Sequence, residues 1–357
     1  MKKAPVRIGI IGTGGMARQH AEAYSGNPHC ALVAAVDVDL PKASAFAQIH
    51  HIQKTYSSVR DMLACPELDA VSVVVPDRYH SAISIECLKA GKHVLCEKPL
   101  AVSLREARQI TRVAQASGLV NMVNFSFRSI PAIEAMRRVI ASGRLGELRH
   151  VEGSFLQSWL TATLDGGWQA SPALLWRLSS AHGSKGALGD VGVHLIDLLV
   201  YLAGPVSTIC GRLKTFSKAP GDRIGEYMLD ANDSASAMLE FASGAMGILH
   251  TTRWSAGNGN RISIRISGTE GSVEFDSDVS RDVYRISAGA DRHTLRWRNI
   301  ACRTVPTIYE KFVQAVRSGQ NDTPSFADGT AVQALLDACF TGKVRTLHPD
   351  IPSLKSH

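Results

Sequence analysis

The sequence predicts an α/β Rossmann-type doubly wound parallel sheet, followed by an α+β domain with a large, mostly antiparallel open sheet. Three observations carry this prediction. A β-branched run, Val6 to Ile11, leads directly into Gly12-Thr13-Gly14-Gly15-Met16-Ala17 and then into a helical pattern. Apolar strand signals and helical stretches alternate from there to residue 125, as they do in a parallel sheet covered on both faces. From Gly146 onward the pattern changes to strand signals separated by short turns. The expected boundaries are 1–125 for a dinucleotide-binding domain and 126–357 for a substrate-binding and oligomerisation domain, whose C-terminal helices could pack back on the first.

Composition sets outer limits. The chain has 357 residues, 45% apolar and 20% charged, which is ordinary globular composition with room for two domains. Its net charge of +7 is dispersed. That implies a preference for anionic ligands and not a nucleic-acid footprint. Seven cysteines are scattered singly with no C-x-x-C pair. Reduced thiols in a cytoplasmic setting are therefore expected, with neither a disulfide frame nor a metal site. The basic start Met1-Lys2-Lys3 is not expected to be a signal peptide, because Arg7 interrupts the apolar run behind it. No apolar stretch reaches membrane-spanning length.

In the first half, each residue of the opening turn has a physical task. Gly12 permits a tight turn, Gly14 lets the backbone approach a pyrophosphate, and Ala17 allows close helix–strand packing. The helix over 17–25 offers free N–H groups and a positive dipole end to phosphates. Gly12, Thr13, Gly14, Gly15 and Met16 are thus expected to contact a dinucleotide. The strand at 31–38 ends in Val36-Asp37-Val38-Asp39. Asp37 is placed to bond ribose hydroxyls and repel a 2′-phosphate, favouring NAD, with NADP less likely. Asp39, just before Pro41, is better placed as a helix cap. Residues 70–76 form another continuous apolar strand. Helices are expected at 81–90 and 103–118, and strands at 93–95 and 119–123. After the strand ending at Cys96 come Glu97, Lys98 and Pro99. The proline stops the ladder and biases Lys98 towards an extended backbone. A lysine is then presented at the carboxyl end of a parallel strand, where ligands bind in open α/β sheets. The plainer alternative is a surface Glu-Lys pair.

In the second half a helix is expected at 129–142, and strands at 147–157, 205–214, 232–241, 244–253, 261–267 and 271–276. Ser243-Gly244 and Glu270-Gly271 supply turns between them. One helix, 187–203, interrupts the strands and is stopped by Gly204-Pro205. Asp190, His194 and Asp197 fall at i, i+4 and i+7 and so share one face of it. The stripe is either a site or a core histidine held by Asp190 or Asp197. Before it lies a loop with Trp159, Trp168, Trp176 and Arg177. Trp176 and Arg177 could wall a sugar site or simply pack the loop. Helices at roughly 305–318 and 327–341 are expected to be structural.

Several of these segments resemble the glucose–fructose oxidoreductase, inositol dehydrogenase and rhizopine-catabolism (Gfo/Idh/MocA) family. They are the opening glycine motif, Pro76 with His80, the run Gly91 to Pro99, Phe125 to Pro131, Asp190-x-Gly192-x-His194 with Asp197, and Asp328-Gly329. Phe127 stands where a tyrosine is common and Asp77 where asparagine is often found. The resemblance implies hydride transfer between NAD(P) and the hydroxyl or keto carbon of a sugar, inositol or related polyol. It also implies catalytic roles for Lys98, Asp190 and His194, cofactor contacts from Pro76, His80, Glu97 and Lys98, substrate contacts that include Arg128, and a homodimer or homotetramer. The residues themselves suggest how the work divides. A histidine, whose unperturbed pKa is about 6.5, suits the hydroxyl proton, and His194 is the one chosen for it. Asp190 would orient the substrate or the imidazole, and Lys98 would stabilise a developing alkoxide. Two alternatives are an NAD-dependent glycosidase acting by transient oxidation and elimination, and a non-catalytic dinucleotide-sensing regulator. The joint presence of Lys98, Asp190 and His194 argues against the second.

Overall fold

Six short segments form one parallel sheet: β1 (Val6–Ile11), β2 (Cys30–Val36), β3 (Lys54–Tyr56), β4 (Ala70–Val73), β5 (His93–Cys96) and β6 (Asn121–Val123). Their order is β3-β2-β1-β4-β5-β6, so the direction of winding reverses between β1 and β4. This reversal opens a crevice at the carboxyl ends of those strands. The crossovers carry α1 (Gly15–Ser25), α2 (Leu40–Ile49), α3 (Val59–Leu63), α4 (His80–Lys89) and α5 (Leu104–Ser117). β1, β4 and β5 are apolar along nearly their whole length because helices cover both faces. The computed structural model describes residues 4–162 and 167–347. It divides into two units, the first comprising Met1–Ser126 with Pro306–Gln333 and the second Phe127–Val305 with Ala334–His357.

The chain therefore returns to the first unit after most of the second has been built. The returning α9 (Ile308–Ser318) seats Ile308, Phe312 and Val313 against Ile8, Leu95 and Met122 of the parallel sheet. The start of α10 (Phe326–Phe340) is tied to α5 by Thr111, which bonds the Phe326 carbonyl and the Thr330 hydroxyl.

The second unit opens with α6 (Pro131–Ala141) and β7 (Leu148–Leu156), continues through α7 (Pro172–Leu175), and then enters α8 (Val193–Ala203). Its strands are β8 (Val206–Lys214), the two-residue pair β9 (Arg223–Ile224) and β10 (Tyr227–Met228), β11 (Ser234–Phe241), β12 (Met246–Thr252), β13 (Arg261–Gly268), β14 (Gly271–Asp276), β15 (Val283–Ala288), β16 (Arg298–Ala301) and β17 (Arg345–Thr346). Eight of them and β7 form one open sheet ordered β16-β15-β14-β13-β7-β12-β11-β8-β17, in which only β7 and β12 run parallel. α8 lies on this sheet where Gly153 of β7 leaves room for Leu195 and Leu199.

Some boundaries differ from the sequence expectation. β4 stops at Val73 and β2 at Val36, each short of the apolar run that contains it. Beyond them the chain turns towards Pro76 and Asp37. β3, β15, β16 and β17 lie outside the expected strands. They are short or carry charged residues, so their alternation is brief. The expected single helix over 187–203 begins as a π-helical turn, Leu188–Gly192, before α8 proper.

Candidate active site

The turn after β1 is built for a phosphate. The Gly12 amide donates to the Val36 carbonyl at 2.8 Å, and its φ of +90° is one that side chains rarely adopt. A Cβ there would strike the Val74 carbonyl. Gly14 caps α1 with no side chain on the helix end, and the Cβ positions of Gly14 and Gly15 face open space. Ala17 is fully buried, so the helix sits close on the sheet. A bare helix N-terminus over two open glycines fits the pyrophosphate of a dinucleotide.

Asp37 closes the same turn. Its carboxylate accepts from the Thr13 amide at 2.9 Å and the Thr13 hydroxyl at 2.8 Å. The Asp39 amide adds a third bond, and the Lys42 ammonium lies 3.6 Å away. Burial opposes the charge, but these partners outweigh it and hold the Asp37 carboxyl below its usual range. Asp39 caps α2 through the Lys42 amide, ahead of Pro41. Thr13 is buried and Met16 is exposed.

Lys98 follows β5 on a turn held from two sides. Glu97 is buried, accepts from the Lys98 amide at 3.1 Å, meets His20 Nε2 at 2.9 Å, and accepts from Asn124. Burial disfavours its charge, yet the His20 and Asn124 bonds and the nearby Lys98 charge bring its pKa down to about 2. Asn124 also donates to Tyr309 of α9. On the other side His80, fully buried, places Nδ1 2.7 Å from the Pro99 carbonyl and Nε2 2.8 Å from the Val75 carbonyl. Both Glu97 and His80 thus engage the backbone around Lys98, and His80 also grips the carbonyl beside Pro76. Lys98 itself is half-buried and Pro76 exposed.

In the second unit Asp190 sits on the π-helical turn and His194 one turn on, at the start of α8. π-turns recur where a helix must aim side chains at a site. Asn232 pins the start of this turn, accepting from the Leu188 amide at 3.0 Å while its own carbonyl takes the Ala187 amide at 2.7 Å. Asp190 accepts from Nη2 of Arg253 at 2.9 Å, with Nε of Arg177 3.8 Å away. The Arg177 guanidinium stacks 4.6 Å from the Trp176 ring. The His194 ring meets the edge of Phe127 at 4.6 Å. Trp168 is packed in a satellite core with Leu160, Leu175, Leu178 and Leu229.

The structure brings Asp190, Arg177 and Trp176 together, and pairs Arg128 with Asp197. Arg128 is buried, and its Nε and Nη2 grip the Asp197 carboxylate at 2.6–3.1 Å. Its guanidinium also lies over Tyr201. The ion pair anchors α8 to the segment that follows the first unit.

Arg253, His20 and Asn124 escaped the sequence reading. Arg253 had a legible signal. In β12 the buried positions are 247, 249 and 251, so an arginine at 253 continues the inward parity. His20 likewise falls on the buried face of α1 with Ala17, Ala21 and Tyr24.

Comparison with known proteins matches this architecture. Residues 6–125 match the oxidoreductase family with an NAD-binding Rossmann fold, and residues 133–274 match the GFO/IDH/MocA C-terminal domain. Levoglucosan dehydrogenase of Pseudarthrobacter phenanthrenivorans is 27% identical over 98% of this chain and 99% of its own length. Inositol 2-dehydrogenase of Rhizobium meliloti is 28% identical over 93% and 95%. The solved structure of levoglucosan dehydrogenase in complex with NADH superposes with a TM-score of 0.86 at 26% identity, covering 96% of this chain and 99% of that one. Matches to both family models across most of its length show that the chain belongs to the GFO/IDH/MocA oxidoreductase family, with an NAD-binding Rossmann fold as its first unit.

Proposed function

We propose that this chain is a dehydrogenase that moves a hydride between NAD and a hydroxyl-bearing carbon of a sugar, inositol or related polyol. The observation that carries this reading is the Asp190 and His194 turn, whose carboxylate is held by a buried cation, in a chain whose other unit carries the dinucleotide turn. Relatives named for levoglucosan and inositol support the substrate class. Free thiols at all seven cysteines support a reducing, cytoplasmic setting.

When bound, the nicotinamide supplies the hydride acceptor. Gly12 to Met16 hold the pyrophosphate, and Asp37 takes the ribose hydroxyls. Lys98, steadied through Glu97 and His80, stabilises charge that develops on the substrate oxygen. His194 accepts the hydroxyl proton, and its edge contact with Phe127 holds the ring in one orientation. Asp190 orients the sugar through a neighbouring hydroxyl. Trp176 and Arg177, stacked beside it, wall the sugar.

The test is turnover of a panel of sugars and polyols with NAD, reading NADH release. Net release separates a dehydrogenase from a glycosidase that re-reduces its intermediate, and its absence on every substrate overturns the reading. Lys98→Ala is expected to bind NADH normally and lose turnover by roughly a hundred- to a thousandfold. His194→Ala is expected to lose the acidic limb of the pH–rate profile. An unchanged limb would remove His194 as the base.

A further inference from the structure

Arg253 holds Asp190 but is given no step in the reading above, and among the described residues it is the largest side chain that is fully buried. A guanidinium removed from water is tolerated only when paired and hydrogen-bonded. Nη2 donates to Asp190 at 2.9 Å and Nη1 donates to the Arg177 carbonyl at 3.0 Å. Its central carbon, Cζ, lies over the Trp159 ring, 4.7 Å from the centroid. That ring is clamped in turn, since Trp159 Nε1 donates to Gln157, whose amide donates to Asn260 at 2.7 Å. The Arg253 backbone is locked by its amide bond to the Asp233 carbonyl at 2.9 Å. The neighbouring residue, Asn232, pins the π-turn that carries Asp190.

The geometry points to Arg253 as a positioning residue that acts on the reaction through Asp190, fixing its carboxylate and the Arg177 main chain from beneath. This rests on the assignment of Asp190 to the substrate made above. The division of exposure supports it: the Asp190 side chain keeps 31% of its surface accessible and that of Arg253 keeps none. One carboxylate thus has a buried support and an open side. The planar fork matters, because two nitrogens reach two acceptors on different segments while the central carbon stays over an indole. A lysine ammonium could not do all three.

The experiment uses the full chain with NAD and whichever member of the sugar and polyol panel, levoglucosan and inositol included, it oxidises fastest. Asp190→Asn, Arg253→Met, Arg253→Lys and the double variant Asp190→Asn with Arg253→Met are compared. Arg253→Met should lower kcat/KM by about a hundredfold, as expected when a substrate-orienting group is misplaced by about an ångström. The dissociation constant for NADH should not move. The double variant should be no slower than Asp190→Asn, because Arg253 acts through that carboxylate. Melting temperatures should run the other way. Asp190→Asn alone leaves a buried guanidinium without its counter-charge, so it should melt below the double variant. If Arg253→Met does not fold, Arg253→Lys carries the test: it keeps the charge, loses the fork, and should lose about tenfold or more in kcat/KM. A slow Asp190→Asn beside a wild-type kcat/KM for the foldable Arg253 variant overturns the inference and leaves the functional reading intact. Losses that multiply in the double variant also overturn it. A wild-type kcat/KM for Asp190→Asn removes Asp190 from the site, and oxidation of no member of the panel sinks the reading and the inference together.

Discussion

The Asp37 carboxylate is bound to Thr13 and lies 3.6 Å from Lys42, so a 2′-phosphate arriving there meets an anion before it meets a cation. NAD is expected to be preferred over NADP. Asp37→Ala should narrow the gap by about tenfold or more, since it removes a charged hydrogen-bond partner and leaves Lys42 as the local charge. Steady-state kinetics with both cofactors check this, and a wild-type preference for NADP refutes the role given to Asp37. His80 poses a different question. A neutral imidazole has one N–H, yet both its nitrogens face carbonyl oxygens within 2.8 Å. The doubly protonated ring satisfies both. Burial opposes that charge, but Cys96, Asp77 and the Pro99 carbonyl outweigh it and lift the pKa to about 10. A group whose pKa is raised in the folded state contributes stability that is fully present below its unfolded value of about 6.5. That contribution is lost as pH climbs through about 10. Melting curves across this range should fall for the wild type, and His80→Phe should flatten the decline. A wild-type curve with no fall would show that the ring is neutral.

At the scale of an element, α8 is buried along nearly its whole length and carries His194. Its orientation depends on Leu195 and Leu199 packing over Gly153 and on the buried Arg128–Asp197 pair. Removing one member of a buried ion pair strands the other. Arg128→Ala is therefore expected to lower stability by about 3–5 kcal/mol. Arg128→Met combined with Asp197→Leu should recover most of that loss. Urea unfolding of the three variants checks the ordering, and a stable Arg128→Ala would mean that the pair does not hold the helix. The Glu97 cluster does comparable work in the first unit. It joins His20 of α1, the turn after β5, Asn124 after β6 and, through Asn124, Tyr309 of α9. Four elements distant in sequence are thereby locked around the backbone that bears Lys98.

At the scale of the molecule, the nine-stranded sheet has one face under α8. On β11 and β12 the other face shows Met238, Met246 and Ile248, exposed by 62%, 65% and 46%. Apolar side chains clustered on an open sheet face mark an association surface. A homodimer or homotetramer formed through this face is the expected solution state. Light scattering at micromolar concentration should show it, and Met238→Glu with Ile248→Glu should shift it to monomer. A monomeric wild type would remove the idea.

Local chemistry made much of this protein legible from its residues alone. The β1 run, the glycine turn and α1 are neighbours in sequence, and their requirements, β-branching, a positive φ at Gly12 and a small Ala17, are all met within a dozen positions. The same holds for the Asp39 cap and for the turn that presents Lys98. Periodicity also marked which side of a strand or helix is inward, and so placed Asp190 and His194 on a common turn. It does not say what lies opposite an inward side chain. Spacing offers Asp197 to His194, and it does not tell that Asp197 binds Arg128, 69 positions away. Asp190 is held by Arg253, 63 positions away, because the residue after β12 is brought up against the π-turn. Strand neighbours in an open sheet are chosen by the packing of whole faces, and no run of adjacent residues records that choice. The partners of the buried charges, and with them the rigidity of the candidate site, were therefore decided only when the chain folded.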